Sequence, residues 1–155
     1  METFATVREL GVKYNAGTEI TLSKEKTLNS SRLMNEAFRK LFDGDTLDYK
    51  ESFHVIYLDT SLKPIAHAKV GEGGLNFVAV DVRIVFSQAL LVGATNIVLC
   101  HNHPSNSMTA SDADKQITKK FVEAGKVLDI KVLDHLIICP NGNYLSFTDE
   151  YLMPN

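Results

Sequence analysis

Two histidines and an aspartate are spaced in the sequence as ligands of a metal ion would be. His101 and His103 lie two residues apart at the end of an apolar stretch, and Asp114 follows after a short loop. Because alternate residues of a strand face the same side, both imidazoles should point one way. Pro104 should end the strand and leave the pair at an open rim. Two imidazoles and one carboxylate fill three tetrahedral positions of a catalytic zinc and leave the fourth to water.

The same residues also have a purely structural interpretation. Ser111 and Asp114 fit a capping box at the start of a helix, and a His-x-His tripeptide often occurs without a metal. A structural zinc would need a fourth ligand. Cys100 is adjacent in sequence but should point to the opposite face of the strand, so we exclude it. Spacing alone leaves both interpretations open.

The elements around these residues alternate between strand and helix patterns. Weakly alternating residues predict extended pieces between Thr3 and Leu22. One helix is predicted after an N-cap at Ser30 or Ser31 to near Gly44, a second after a cap at Asp81 to about Gly93, and a third from Ser111 through Leu128. The buried side of the second helix is predicted to hold Val82, Val85, Phe86, Ala89 and Leu90. Strands are predicted at 53–58, 64–70, 96–100, 130–139 and 144–147. The interleaving predicts an α/β (mixed α+β) domain with one mixed sheet and helices on its faces.

Composition narrows the class of protein. The 155 residues fit one domain, and a net charge of −3 gives no general attraction to nucleic acid or anionic lipid. Two cysteines, Cys100 and Cys139, do not suggest a disulfide framework and predict reduced thiols. We find neither a secretory signal nor an apolar run of about 20 residues. We therefore expect a soluble, cytoplasmic protein with no membrane partner.

A family resemblance supports the predicted metal site and the predicted fold. His-Asn-His-Pro-Ser at 101–105, Ser-x-x-Asp at 111–114 and the segment 127–138 resemble the RadC branch of the JAB/MPN (JAMM motif) metalloprotease domains. The resemblance implies a curved mixed sheet between helices, with a topology similar to that of cytidine deaminases. It implies one Zn²⁺ at His101, His103 and Asp114, hydrolysis of peptide or isopeptide bonds, and a protein or peptide substrate. It divides the chain into an N-terminal extension, 1–45, and a domain at 46–150.

The resemblance also assigns roles to residues outside the ligand set. Glu51, in Glu-Ser-Phe before an apolar strand, matches the family glutamate that acts through the metal-bound water. Glu72, in a glycine-rich loop, is a weaker candidate. Ser111 matches the serine that hydrogen-bonds the developing oxyanion. Asp134 and His135 recur in the resemblance and would support the site from behind the ligands, although a buried structural role suits them equally.

Some features depart from the family pattern. The loop after His-Pro-Ser runs 106–110 as Asn-Ser-Met-Thr-Ala in place of a Gly- and Pro-containing loop, and Asn106 should supply a left-handed turn. The first 45 residues do not resemble the N-terminal helical domain of long RadC proteins, which indicates a short form.

The sequence also allows a second function, and it gives several other residues structural roles. The alternative function is a DNA-repair-associated interaction module that binds metal without protease activity. Nucleic acid is then a partner by family association only, and the sequence does not indicate an oligomeric state. A nucleobase deaminase is excluded because His-x-Glu and Pro-Cys-x-x-Cys are missing. His54 and His67 are interpreted as packing or surface residues, and the lysines at 115, 119 and 120 as a solvated helix face.

Overall fold

A computed structural model describes residues 27–73 and 79–155, and the extended pieces predicted at 3–22 lie outside these ranges. The described part holds three helices, α1 (Ser31–Arg39), α2 (Val82–Val92) and α3 (Asp112–Leu128). Its five strands are β1 (Ser52–Leu58), β2 (Pro64–Glu72), β3 (Asn96–Asn102), β4 (Lys131–Ile138) and β5 (Tyr144–Ser146). Each element follows a predicted segment, with bounds that differ by a few residues. No helix in these ranges is long and apolar enough to cross a membrane.

The strands form one mixed sheet in the order β2-β1-β3-β4-β5. β1 pairs antiparallel with both β2 and β3, β3 pairs parallel with β4, and β4 pairs antiparallel with β5. The parallel pair needs a crossover, which α3 supplies. The mixed sheet and its three helices confirm the predicted α+β class.

Local signals fix the helix ends. Ser30 and Asp81 cap α1 and α2 through side-chain oxygens, and α2 ends at Gly93, whose φ of +70° is the left-handed conformation that glycine tolerates. The prediction that α1 reaches Gly44 is wrong, because α1 ends at Arg39. Beyond it, the carboxylate of Asp43 accepts a hydrogen bond from the N–H of Asp45, a local turn that competes with helix.

Apolar residues pack on both faces of the sheet. On one face, α1 covers a cluster that includes Phe38, Ile56, Val98 and Cys100. On the other face, α2 and α3 cover a second cluster of alternating β1 and β3 residues with helix residues, namely Phe53, Val55, Tyr57, Val85, Phe86, Ala89, Ile97, Leu99 and Phe121. Cys100 therefore points away from the α3 face, as predicted. Cys100 and Cys139 are both buried free thiols.

Leu90 does not belong to the buried side of α2, although its spacing predicted that it would. Its side chain is 57% exposed. Val85, Phe86 and Ala89 form the buried stripe of the helix. At about 100° per residue, Leu90 lies roughly 90° around the helix from the centre of that stripe.

Candidate metal centre

The three predicted ligands meet at one end of β3. His101 Nε2 lies 3.1 Å from His103 Nε2 and 3.1 Å from Asp114 Oδ1, and His103 Nε2 lies 3.7 Å from Asp114 Oδ2. The candidate ligand atoms all lie within 4.8 Å of one another. A tetrahedral zinc about 2.0–2.1 Å from each ligand would hold such atoms roughly 3.3 Å apart. The group therefore has the dimensions of a zinc site.

The chemistry of these atoms also favours a cation. His103 Nδ1 lies 2.9 Å from the carbonyl oxygen of Ser107, which can only accept. His103 therefore donates its Nδ1 proton there, and in its neutral form presents the Nε2 lone pair to Asp114 and His101. A carboxylate and imidazole lone pairs at these distances repel one another unless a positive charge lies between them. A bound metal ion, or a shared proton in its absence, supplies that charge.

The electrostatics of the three groups reflect this mutual contact. Burial raises the pKa of Asp114, but the close ring nitrogens of His101 and His103 and the Ser111 hydroxyl outweigh burial and hold that pKa well below its usual range. Burial lowers the pKa of His103, but its bonds to Asp114 and to the Ser107 carbonyl leave the pKa raised. For His101, which is fully buried, burial dominates and the pKa is lowered despite Asp114. Asp114 is therefore a carboxylate, ready to bind a cation.

Ser111 and Asp114 also form the capping box that the sequence allowed. The Ser111 Oγ accepts a hydrogen bond from the Asp114 N–H at 3.1 Å and donates to Asp114 Oδ2 at 2.7 Å. The Ser111 N–H donates to the same carboxylate oxygen. Helix capping and a ligand position for Asp114 therefore coexist, since Asp114 Oδ1 faces His101.

Glu51 is placed beside this group by the pairing of β1 with β3. Phe53 pairs with His101 in antiparallel register. Ser52, which follows Glu51, donates its N–H to the side chain of Asn102, which precedes His103. Glu51 is buried and lines the same cavity of about 370 Å³ as the three ligands. Burial raises its pKa, opposed by the charge of His103 and aided by that of Asp114. Glu72 does not line this cavity; it forms ion pairs with Lys50 and Lys69 on the surface.

Comparison with known proteins identifies the family of this chain. The sequence matches the RadC-like JAB domain family over residues 28–152. This chain belongs to the RadC-like JAB domain family. A similar relative, a UPF0758 protein of Flavobacterium johnsoniae, is 52% identical over 100 residues, which cover 64% of this chain and 43% of the relative. The chain thus spans less than half the length of that curated relative. The family match begins before α1, a helix that the predicted division of the chain assigns to the N-terminal extension.

Asn102, between the two histidines, has a role that the sequence analysis of this JAB domain missed. Its buried side chain donates to the carbonyl oxygens of Leu47 and Lys50, each at 2.8 Å, and accepts from the N–H of Ser52 at 2.8 Å. These bonds hold the segment that carries Glu51. Strand alternation could have indicated this role, because it points Asn102 away from the histidines and into the core, where a buried amide needs hydrogen-bond partners.

Asp134 and His135 have different roles in this domain. Asp134 is buried and accepts hydrogen bonds from the Ser146 hydroxyl and from the N–H groups of His135 and Thr148. It therefore ties β4 to the segment around β5 and is not hydrogen-bonded to a candidate ligand. His135 is different, because its Nε2 lies 2.8 Å from His101 Nδ1. The structure thus brings His135, but not Asp134, against the ligand group.

The loop after β3 shows one predicted feature and one difference. Asn106 has a φ of +62°, so it supplies the left-handed turn expected of it. The histidines are less exposed to solvent than the position of Pro104 at the strand end predicted, since His101 is only 2% exposed. The reason is that the His103 N–H still donates to the carbonyl of Ile138 at 2.9 Å, which keeps the segment against β4. Access to the ligands is from the cavity side.

The other two strand histidines lie apart from the ligand group. His54 is buried against the ring of Phe42, with a centroid separation of 4.2 Å, and its Nδ1 has no hydrogen-bond partner among the described residues. His67 is exposed on β2. Both therefore fit the packing and surface roles assigned to them.

Proposed function

We propose that this RadC-like JAB domain is a zinc-dependent hydrolase of peptide or isopeptide bonds. The observation that carries the proposal is the convergence of His101, His103 and Asp114 on the wall of a cavity that also holds Glu51. Three protein ligands with an open side suit a catalytic zinc, whereas structural zinc sites usually have four. Glu51 is a buried carboxyl group on the wall of this cavity, where burial disfavours its charge, and such groups are concentrated at functional sites.

The residues of the site then have distinct tasks. Bound zinc would supply Lewis acidity, which polarises a carbonyl and makes hydroxide available near neutral pH. Glu51 takes a proton from the attacking water and later delivers it to the leaving amine. Burial raises the pKa of Glu51, which strengthens its hold on a proton taken from water. The Ser111 hydroxyl, which now donates to Asp114, would turn toward the substrate oxyanion.

The cavity wall is consistent with a peptide-like substrate. Phe53, Val80 and Ile117 give it an apolar part, while Gln116 and Lys120 add polar groups to the same lining. Such a mixture suits a chain with apolar side chains and backbone amides. We therefore propose a protein or peptide as the substrate.

Metal content tests the ligand assignment. Purified protein is loaded with zinc, dialysed and analysed for metal, beside His101→Ala, Asp114→Ala and the matched control His67→Ala. We expect one zinc per chain in wild type and in the control, and none in the two ligand variants. Zinc at about 100 times its Kd should add about 2.7 kcal/mol of stability, a rise in Tm of roughly 5–11 °C. Equal zinc in wild type and ligand variants would refute the assignment.

Hydrolysis is tested separately with zinc-loaded protein. The probes are a mixture of peptides from a digested bacterial extract and a set of peptides branched through lysine side-chain amides, both read by mass spectrometry. We expect cleavage by wild type and by the control Glu72→Gln, and a loss of 100-fold or more in Glu51→Gln with zinc retained. If zinc-loaded wild type leaves both probe sets intact, the hydrolase is excluded. The DNA-repair-associated interaction module would then be the better proposal.

A further inference from the structure

Behind the ligand group, a buried hydrogen-bond network joins His101 to Thr118 through His135. His101 Nδ1 lies 2.8 Å from His135 Nε2, and His135 Nδ1 lies 2.7 Å from Thr118 Oγ1. Thr118 Oγ1 in turn lies 2.6 Å from the backbone carbonyl oxygen of Asp114. His135 and Thr118 are completely buried, and His101 is nearly so. The network thus connects one candidate ligand to the backbone of another, through β4 and α3.

The direction of every hydrogen bond in this network follows from its last member. A carbonyl oxygen can only accept, so Thr118 must use its single hydroxyl proton on Asp114. Its oxygen then can only accept from His135, which places a proton on His135 Nδ1. A neutral His135 with that proton has a lone pair on Nε2. His101 must therefore donate from Nδ1, and its own lone pair is on Nε2, the atom that faces His103 and Asp114.

We propose that Thr118 and His135 are positioning residues that hold His101 in the Nδ1–H tautomer and so present its Nε2 lone pair to the metal. The inference rests on the metal-binding part of the proposed function and not on hydrolysis. Neither residue touches the metal position. Both act through His101, as partners behind a metal ligand commonly do by fixing its ring orientation and its tautomer.

The two other proton arrangements are physically unfavourable. Reversing the network would make Thr118 donate to His135 and leave two oxygen acceptors 2.6 Å apart, at Thr118 and the Asp114 carbonyl. Protonating both nitrogens of His135 would bury an imidazolium whose ring is hydrogen-bonded to no carboxylate among the described residues. With the opposite tautomer, His101 would carry its proton on Nε2, and metal binding would first have to displace it.

Tautomers are measured directly by NMR of histidine ring nitrogens in protein labelled with ¹⁵N-histidine. Signals are assigned with a His135→Phe variant, and spectra are recorded with and without zinc. We expect the proton of His135 on Nδ1 in both states, and that of zinc-loaded His101 on Nδ1 as well. A proton on His135 Nε2 in folded wild type would overturn the proposal. The metal-free spectrum makes this outcome distinguishable from a failure to bind zinc or to hydrolyse any probe.

Zinc affinity, measured by competition with a chelator, tests the consequence. Thr118→Val keeps the shape of the side chain but removes the acceptor, so His135 should switch tautomer and zinc affinity should fall 10- to 100-fold. Thr118→Ser keeps the hydroxyl and should retain wild-type affinity and tautomer within about threefold. A folded Thr118→Val variant with wild-type affinity would overturn the proposal. So would equal losses in both variants, since these would indicate packing and not proton placement. If Thr118→Val does not fold, the serine variant and the wild-type tautomer decide the matter.

Discussion

Replacing Asn102 by alanine should loosen the segment that carries Glu51 without removing a metal ligand. The amide makes three hydrogen bonds to the backbone of that segment, to Leu47, Lys50 and Ser52. Each bond contributes about 1 kcal/mol net, and although Asn102 is buried its three partner residues are only partly buried, so water can replace part of what is lost. The expected loss of stability is about 2–3 kcal/mol. At 2–4 °C per kcal/mol, Tm should fall by roughly 4–12 °C.

Thermal unfolding followed by circular dichroism measures this loss, with zinc content and cleavage measured on the same samples. Asn141→Ala is the matched control, because the Asn141 side chain is exposed and its oxygen accepts one local bond from the N–H of Asn143. That variant should melt within about 2 °C of wild type. Asn102→Ala should still bind one zinc at saturating metal, while cleavage falls because Glu51 is no longer held. Melting of Asn102→Ala within 2 °C of wild type would refute the reasoning.

Two further changes test the core of the domain. Burial, with a smaller contribution from the charge of Lys69, lowers the pKa of His54 to about 4, against about 6.5 in the unfolded chain. The unfolded state therefore takes up this proton first, and His54 alone should contribute a loss of about 2.5 kcal/mol in stability between pH 7.5 and 4.5. In urea titrations, the acid sensitivity of His54→Phe should be smaller than that of wild type by this amount. Gly125→Ala should cost about 1–3 kcal/mol, because the new Cβ would overlap the carbonyl oxygen of Ile130.

Each of these two changes has an internal control. For His54→Phe, the control is the stability of the same variant at pH 7.5, where His54 of the wild type is neutral. If the variant loses as much stability as wild type between pH 7.5 and 4.5, the lowered pKa of His54 is contradicted. For Gly125→Ala it is Gly44→Ala, where no atom lies within 4 Å of the added Cβ. That control should be neutral or slightly stabilising. Equal stability of the two alanine variants would show that α3 can move away from the start of β4.

The sequence predicted the parts of the site that lie close together along the chain. His101 and His103 share a strand end, and Asp114 begins the next helix, so alternation and capping rules place all three. The partners that hold them were not predictable in this way. Thr118 meets His135 only because α3 packs on β4, and Asn102 meets Lys50 only because β1 pairs with β3. Those contacts depend on the sheet order, which local periodicity does not specify.

The ends of α1 and the exposure of Leu90 show the same limit at the level of elements. The apolar spacing of α1 continues to Leu41 and Phe42, and both still pack on or within the core although the helix has ended. A chain can bury such residues from turns as well as from a helix. In α2, the position of the sheet decides which of two adjacent stripes is buried, and spacing alone did not distinguish Leu90 from its neighbours.

One consequence follows from the crossover of α3 between the parallel strands β3 and β4. All three candidate ligands, together with Thr118 and His135, lie within the contiguous segment 96–138, whereas Glu51 comes from a distant part of the chain. In the proposed function, metal affinity and proton transfer are therefore encoded by separate stretches of sequence. A single substitution at position 51 would then abolish the proposed proton transfer and spare the proposed metal site, so a descendant of this domain would keep the metal only as an anchor for its fold.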